Sequence, residues 1–306
     1  MRSYTFGIYP RPVRLIAATR RDPEGARELA RRESERIIGL QERAGLQLLS
    51  DPLLEWDDML RWFAAEWEGV EVDGILRYFE HNAFYRVPIV KGEIRTDGQV
   101  LRRHLVIGAQ GRSVLEVPEP LTFALMAKDQ HYGSTEGLAM AIARALNEDL
   151  CSAEGALKPA LIAVKGPGLV HGGSAELAAR ASWELLRSCS APAVLHLYFR
   201  SPIAAYRALE GLRHAYAGLA LDATWDGPER LAEALKGYRL DLLGAGLVDS
   251  HNTRIEGAEE LRRGAEVLRR ATGAEVMLTV SSDLEFVPYS FAMRKVRVLG
   301  RAARDA

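Results

Sequence analysis

Leu161-Ile162-Ala163-Val164, an amphipathic stretch over 174–189, then Ala193-Val194-Leu195-His196-Leu197-Tyr198-Phe199 is the run that decides the fold. The two apolar runs show no strict polar alternation, as strands covered on both faces do not. The segment between them is long enough for a helix and patterned like one. Strand, crossover helix and parallel strand is the unit this spells.

Outward from there the unit recurs. Apolar runs bounded by Gly, Pro, Ser or Asp lie at 3–9, 46–50, 114–117, 161–164, 193–199, 217–222, 240–248 and 275–280. Helical patterns lie at 24–44, 52–67, 135–150, 174–189, 203–214, 228–235, 257–272 and 290–303. Eight and eight predicts an α/β chain folded as one (β/α)8 TIM barrel over 1–306. A doubly wound open sheet is the alternative, because alternation does not specify closure. One region breaks the alternation. Val87-Pro-Ile-Val, Gly92-Glu-Ile and Leu105-Val-Ile, with the turn signal Thr96-Asp-Gly, predict an inserted β-hairpin at about 86–108.

Composition bounds the function. The 306 residues are 48% apolar and carry a formal charge of −1. A strongly basic nucleic-acid binder is excluded, and no apolar run is long enough to predict a membrane span. With two cysteines, Cys151 and Cys189, there is room for one disulfide but no disulfide framework. A cytoplasmic protein is the expectation.

In a (β/α)8 barrel the site lies at the carboxyl ends of the strands. Those ends carry Tyr9-Pro-Arg-Pro, Ser50-Asp51, Glu116 with Glu119, Lys165-Gly-Pro-Gly, His196 with Tyr198, Asp222, Asp249-Ser-His251 and Ser281-Ser-Asp283. Each has a structural reading too. His196 sits on an apolar strand and suits a hydrogen-bonded core histidine. Asp51 before Pro52 suits a helix N-cap. Lys165-Gly-Pro-Gly suits a turn, and Asp249 and His251 suit a crossover turn. Trp56, Trp62, Phe63 and Trp67 are at helical spacing and read as core. Arg77, Tyr78, Asn82, Tyr85 and Arg86 suit a planar anion or a protein partner.

The residues carry a resemblance that runs nearly end to end. Phe6-Gly-Ile-Tyr-Pro-Arg-Pro, then Gln41, Gly45, Leu46, Asp51, Asp58, Met59 and Phe63, then Arg77-Tyr-Phe-Glu-His-Asn-Ala-Phe-Tyr-Arg-Val-Pro, form its first part. Gly244-Ala-Gly-Leu-Val-Asp-Ser-His-Asn-Thr-Arg-Ile-Glu and Asp283-Leu-Glu-Phe-Val-Pro, with Ala292 and Lys295, complete it. The chain resembles the catalytic barrel of cobalamin-independent methionine synthase in its short archaeal-type form. That resemblance implies a methyltransferase of one-carbon and methionine metabolism, with zinc presenting a substrate thiolate to a methyl donor.

The resemblance also implies His-x-Cys on one strand, Glu on the next and Cys on the last as zinc ligands. Here His196 is present, Tyr198 replaces the first Cys, Asp222 replaces Glu, and Ser281-Ser282-Asp283 holds no sulfur. His196 and Asp222 are the weak metal candidates that remain, with a looser His196, Asp222 and Asp283 set behind them. Lys165 stands where the family has an acid that holds the substrate's ammonium. At about 4 Å and an effective dielectric near 20, the repulsion would be roughly 4 kcal/mol. Lys165 therefore predicts an anionic small-molecule ligand, with one or more of Arg11, Arg77 and Arg86.

The candidate catalytic residues are then His196, Asp222 and Asp249. Ile8, Tyr9, Asp51, Lys165, Tyr198, His251 and Asp283 are the candidate substrate-binding residues. Two functions follow from the resemblance. One is methyl transfer to a homocysteine-like thiol. The other is a zinc-less paralogue that binds a pterin or corrinoid-linked partner, or pairs with a zinc-bearing copy.

Overall fold

The computed structural model describes residues 1–79, 83–108, 111–208, 212, 215–238 and 240–304. Two helices lead, α1 (Val13–Arg21) and α2 (Pro23–Ala44), followed by β1 (Leu49–Ser50) and α3 (Arg61–Glu66). Next come β2 (Glu68–Arg77), β3 (Phe84–Arg95), α4 (Val100–His104), β4 (Ser113–Pro118), α5 (Pro120–Met126) and β5 (Lys128–Asp129). From α6 (Thr135–Leu157) the alternation is regular: β6 (Leu161–Lys165), α7 (Ala175–Leu186), β7 (Ala193–Leu197), α8 (Pro202–Ala208) and β8 (Gly218–Asp222). It ends with α9 (Pro228–Ala234), β9 (Leu242–Val248), α10 (Ala258–Thr272), β10 (Glu275–Val280) and α11 (Tyr289–Arg304).

Seven strands form one parallel sheet in the order β1, β4, β6, β7, β8, β9, β10. Every residue of β4, β6, β7 and β8 is buried. That is what apolar runs covered on both faces require. Gly244 lets β9 lie close inside the curl: a Cβ there would stand 2.5 Å from the Ala220 Cβ and 3.1 Å from the Tyr4 hydroxyl.

Residues 3–9 do not form the regular strand that the apolar run suggests. The segment makes a single parallel bridge, Ser3 to Leu278. Tyr4 N donates to Leu278 O and Leu278 N to Arg2 O, while Leu48 N donates to Ser3 O. The amino-terminal segment thus hydrogen-bonds to β10 on one side and to the chain just before β1 on the other.

The antiparallel pair lies earlier than expected. β2 and β3 pair over 68–95, and β3 also pairs parallel with β5. The predicted range 86–108 holds only the second arm, then α4, because Val100–His104 is helical. The first arm hides in Glu68-Gly-Val-Glu-Val-Asp-Gly-Ile-Leu-Arg. Its pairing slips at Gly69 and Gly74, both at positive φ, so the period-2 pattern is interrupted twice. At Gly69 a Cβ would overlap the Glu93 carbonyl.

The helix expected over 52–67 shortens to α3. Asp51 Oδ1 accepts from Leu53 N, and Leu53 lies at φ 53°, so residues 51–60 are irregular turn. α1 was not anticipated at all. Of the 203–214 pattern, α8 carries the first part, and residues 209–211 and 213–214 lie outside the described residues, as does Asn82. Among the described residues, no helix is long and apolar enough to cross a membrane.

Candidate functional site

β6 and β7 place Lys165 opposite His196 in register. Both side chains are buried, and neither is solvated at a rim. Lys165 Nζ lies 3.3 Å from Glu116 Oε2, and each side chain is 2% exposed. Glu116 Oε2 also accepts from Gly7 N at 2.7 Å, while its Oε1 has no hydrogen-bond partner. Burial pushes the Glu116 carboxyl up to about 7, against the pull of Lys165 and of the Gly7 N–H. Lys165 was expected to face an open mouth and attract an anion there; its side chain is buried and lies against Glu116. Arg11 is engaged as well, on Leu54 O, Trp56 O and Asp57.

His196 is enclosed by the amino-terminal segment. Its Nε2 is 3.1 Å from the Tyr4 hydroxyl, and the Phe6 ring lies 3.9 Å from its own. Burial first, then Lys165, drives the imidazole down to about 3, so it is neutral across the ordinary pH range. Beyond it, Tyr198 packs on Phe6 and Phe199.

The other acids at the strand ends are held by backbone. Asp283 Oδ1 accepts from Ile8 N. Gly7 sits at φ 80°, where a Cβ would overlap the Asp283 carboxylate, so Glu116 and Asp283 together strap residues 7–8 over the sheet. Asp51 does not cap a helix. It accepts from Leu53, Val106 and Ile107 N and so ties 105–107 to β1. Tyr9 is buried, its hydroxyl 2.8 Å from Thr5 Oγ1. Asp249 Oδ1 accepts from His251 N, and the His251 ring stacks on Phe286 at 4.8 Å, both at the exposed rim. Asp222 Oδ1 accepts from Thr224 N and Oγ1, whereas its buried Oδ2 has no partner. Burial pushes Asp222 up to about 7.

Lys165, His196, Tyr198 and Ile8 therefore share the interior with Glu116 and Phe6, while Asp249 and His251 do not reach it. The mouth above them is nearly filled. Ile8, Asp58, Met59, Tyr78, Phe199 and Phe286 line a cavity of about 20 Å³, room for roughly one water. The Tyr78 hydroxyl donates to Met59 Sδ at 2.6 Å, closing it. Tyr4 is a participant that the sequence reading did not single out, and Glu116 was named only as one of the strand-end acids. Tyr4, Phe6 and Ile8 alternate on one face of their segment, and Glu116 ends its strand, so both signals were present.

The resemblance implies a zinc ion held by His196 and its neighbours on the next strands. Tyr4 occupies His196 Nε2, and Tyr198 brings an aromatic ring where a sulfur is needed. Thr224 holds Asp222, Ser281 Oγ accepts from Ser250 N, and Ile8 holds Asp283. Among the described residues, no three His, Cys, Asp or Glu side chains cluster as a metal site. These residues do not fit a tight zinc site.

No family model matches the chain. It is 26% identical over 305 residues to a methionine synthase of Sulfurisphaera tokodaii, covering 95% of this chain and 88% of that protein. It is 26% identical over 276 residues to a methionine synthase of Thermococcus kodakarensis, covering 84% and 78%. Its fold superposes on a B12-independent methionine synthase from a Shewanella species in complex with selenomethionine, with a TM-score of 0.74, 17% identity, and coverage of 99% and 96%. The chain is methionine synthase-like. A methyltransferase from Methanosarcina mazei shares the fold of this methionine synthase-like chain more distantly, at a TM-score of 0.59 and 15% identity over 98% and 91% of the two chains.

Proposed function

We propose that this methionine synthase-like chain is a zinc-less paralogue that does not itself methylate a thiol and that pairs with a second, zinc-bearing copy of the fold. One observation carries the reading: His196, the one family ligand retained in kind, is bonded to Tyr4, packed under Phe6 and held neutral beside Lys165. The Lys165–Glu116 pair supports it, because it sets a side-chain ammonium beside the position that the resemblance gives to the substrate's own. The chain is a single domain in this reading, and the amino-terminal segment completes a closed (β/α)8 barrel. Its hydrogen bonds to Leu278 and Leu48 support that closure. A pterin or corrinoid-linked methyl donor would then be met by the pair.

Metal analysis of the purified chain, loaded with zinc and homocysteine, tests the proposal. Well under one zinc per chain is expected, unchanged by His196→Ala, together with no methionine formed by the chain alone. One zinc per chain that is lost on His196→Ala, or methionine formed without a partner, would return the chain to the thiol methyltransferases. Co-purification with a barrel that carries His-x-Cys, Glu and Cys tests the pairing.

A further inference from the structure

The two cysteines lie far apart in sequence but are neighbours in the fold. On α6, Asn147, Cys151 and Glu154 are spaced i, i+4, i+7 and therefore share one helix face. That face meets the end of α7 and the turn into β7. Asn147 Nδ2 donates to Leu185 O at 2.7 Å, and Glu154 Oε1 accepts from Ser190 N at 2.8 Å and Ala191 N at 2.6 Å. Between these two rungs lie Cys151 on α6 and Cys189 on the turn that α6 packs against. Both thiols are free and half-buried, and Cys189 Sγ lies 3.9 Å from Leu185 O, the same carbonyl that Asn147 of the α6 face bonds.

We propose that Cys151 and Cys189 form an intramolecular disulfide under oxidising conditions, stapling α6 to the turn that starts β7. The two thiols lose two protons and two electrons as the sulfur–sulfur bond forms. With a peroxide as oxidant, its oxygen–oxygen bond breaks and two waters leave. The flanking rungs hold the two backbones against each other, which is the placement a disulfide requires. Cys189 precedes β7, whereas His196 lies near its carboxyl end, so the staple is at the face opposite the mouth. In a barrel that face serves stability. Burial, with Cys151 and Glu154 beside it, pushes the Cys189 thiol up to about 12, which makes the oxidation slow near neutrality.

The test is oxidation of the folded, full-length chain with hydrogen peroxide or with diamide, which takes up the same two hydrogens. Titratable thiols in the denatured product should fall from two to none. The mass should drop by two hydrogens, and a peptide pair spanning 151 and 189 should appear. The Tm should rise by several degrees and return on reduction, because the link restricts the unfolded chain. Cys151→Ser and Cys189→Ser should each abolish the rise. Two thiols still free after prolonged oxidation, or disulfide-linked dimers in place of the internal link, would overturn the proposal.

Discussion

Lys165 and Glu116 show how one buried pair changes the meaning of a site residue. Read from sequence, Lys165 is a cation at a strand end, and strand ends in this fold face ligand. The sequence does not say that Glu116, two strands earlier in chain order, ends beside it. Register between β4 and β6 brings them together, pairing Glu116 with Ala163 and Pro118 with Lys165. Removing one member of a buried pair leaves the other uncompensated, at a typical cost of about 3–5 kcal/mol. Lys165→Ala should lower stability by roughly that amount in denaturant unfolding above about pH 8, where Glu116 is ionised. Lys165→Met combined with Glu116→Gln should recover most of the loss, because neither buried charge remains. A loss within about 0.5 kcal/mol, the range of an exposed substitution, would mean that Lys165 is solvated and would reopen the anion reading.

Elements were legible where the pattern was uninterrupted. β6 to β10 and α7, α9, α10 and α11 lie within a few residues of their predicted spans, because each strand is covered on both faces and each helix shows one apolar stripe. α6 starts where expected but runs seven residues further, to Leu157. The hairpin was not placed correctly, since two bulges at Gly69 and Gly74 broke its alternation. Its attachment depends on a residue that no pattern singles out. Asp149 of α6 accepts from Trp67 Nε1, Thr96 Oγ1 and Val100 N, joining both ends of the β2–β3 segment to one helix. Asp149→Ala leaves three donors without their acceptor, at roughly 1–3 kcal/mol for each that stays buried. Hydrogen exchange should show the amides of β2 and β3 losing protection while those of β7 and β8 keep theirs. Equal loss in both regions would show that Asp149 supports the parallel sheet as well as the β2–β3 pair.

For the whole molecule, the interior carboxyls should set an unusual pH dependence. Burial raises Glu116 and Glu119 to about 7 from 4.5, and Asp222 to about 7 from 3.8. Between about pH 4.5 and 7 the native chain keeps these three protons while the unfolded chain has released them. His196 works the other way. Its value of about 3 against 6.5 means the unfolded chain holds a proton there that the native chain lacks. Glu285, raised by burial to about 8 from 4.5, adds a fourth carboxyl proton, so the balance is about three extra protons on the native state and stability falls as pH rises through this window. The limit is about 1.4 kcal/mol per pH unit for each proton. Below it, Glu266, held down to about 2 by Arg269 and Arg270, opposes the trend, because its ion pairs are lost as it protonates. The Tm should therefore be higher near pH 5 than near pH 7 and level off above about 8. Asp222→Asn removes one of the four carboxyl protons and should flatten the slope by about a third, with Thr224 still offered an acceptor. A Tm that climbs steadily from pH 5 to 7 would mean that these carboxyls are ionised in the native state. Water or a cation would then have to reach the Asp222 Oδ2 and Glu116 Oε1 atoms, and the interior would be a ligand site in its own right.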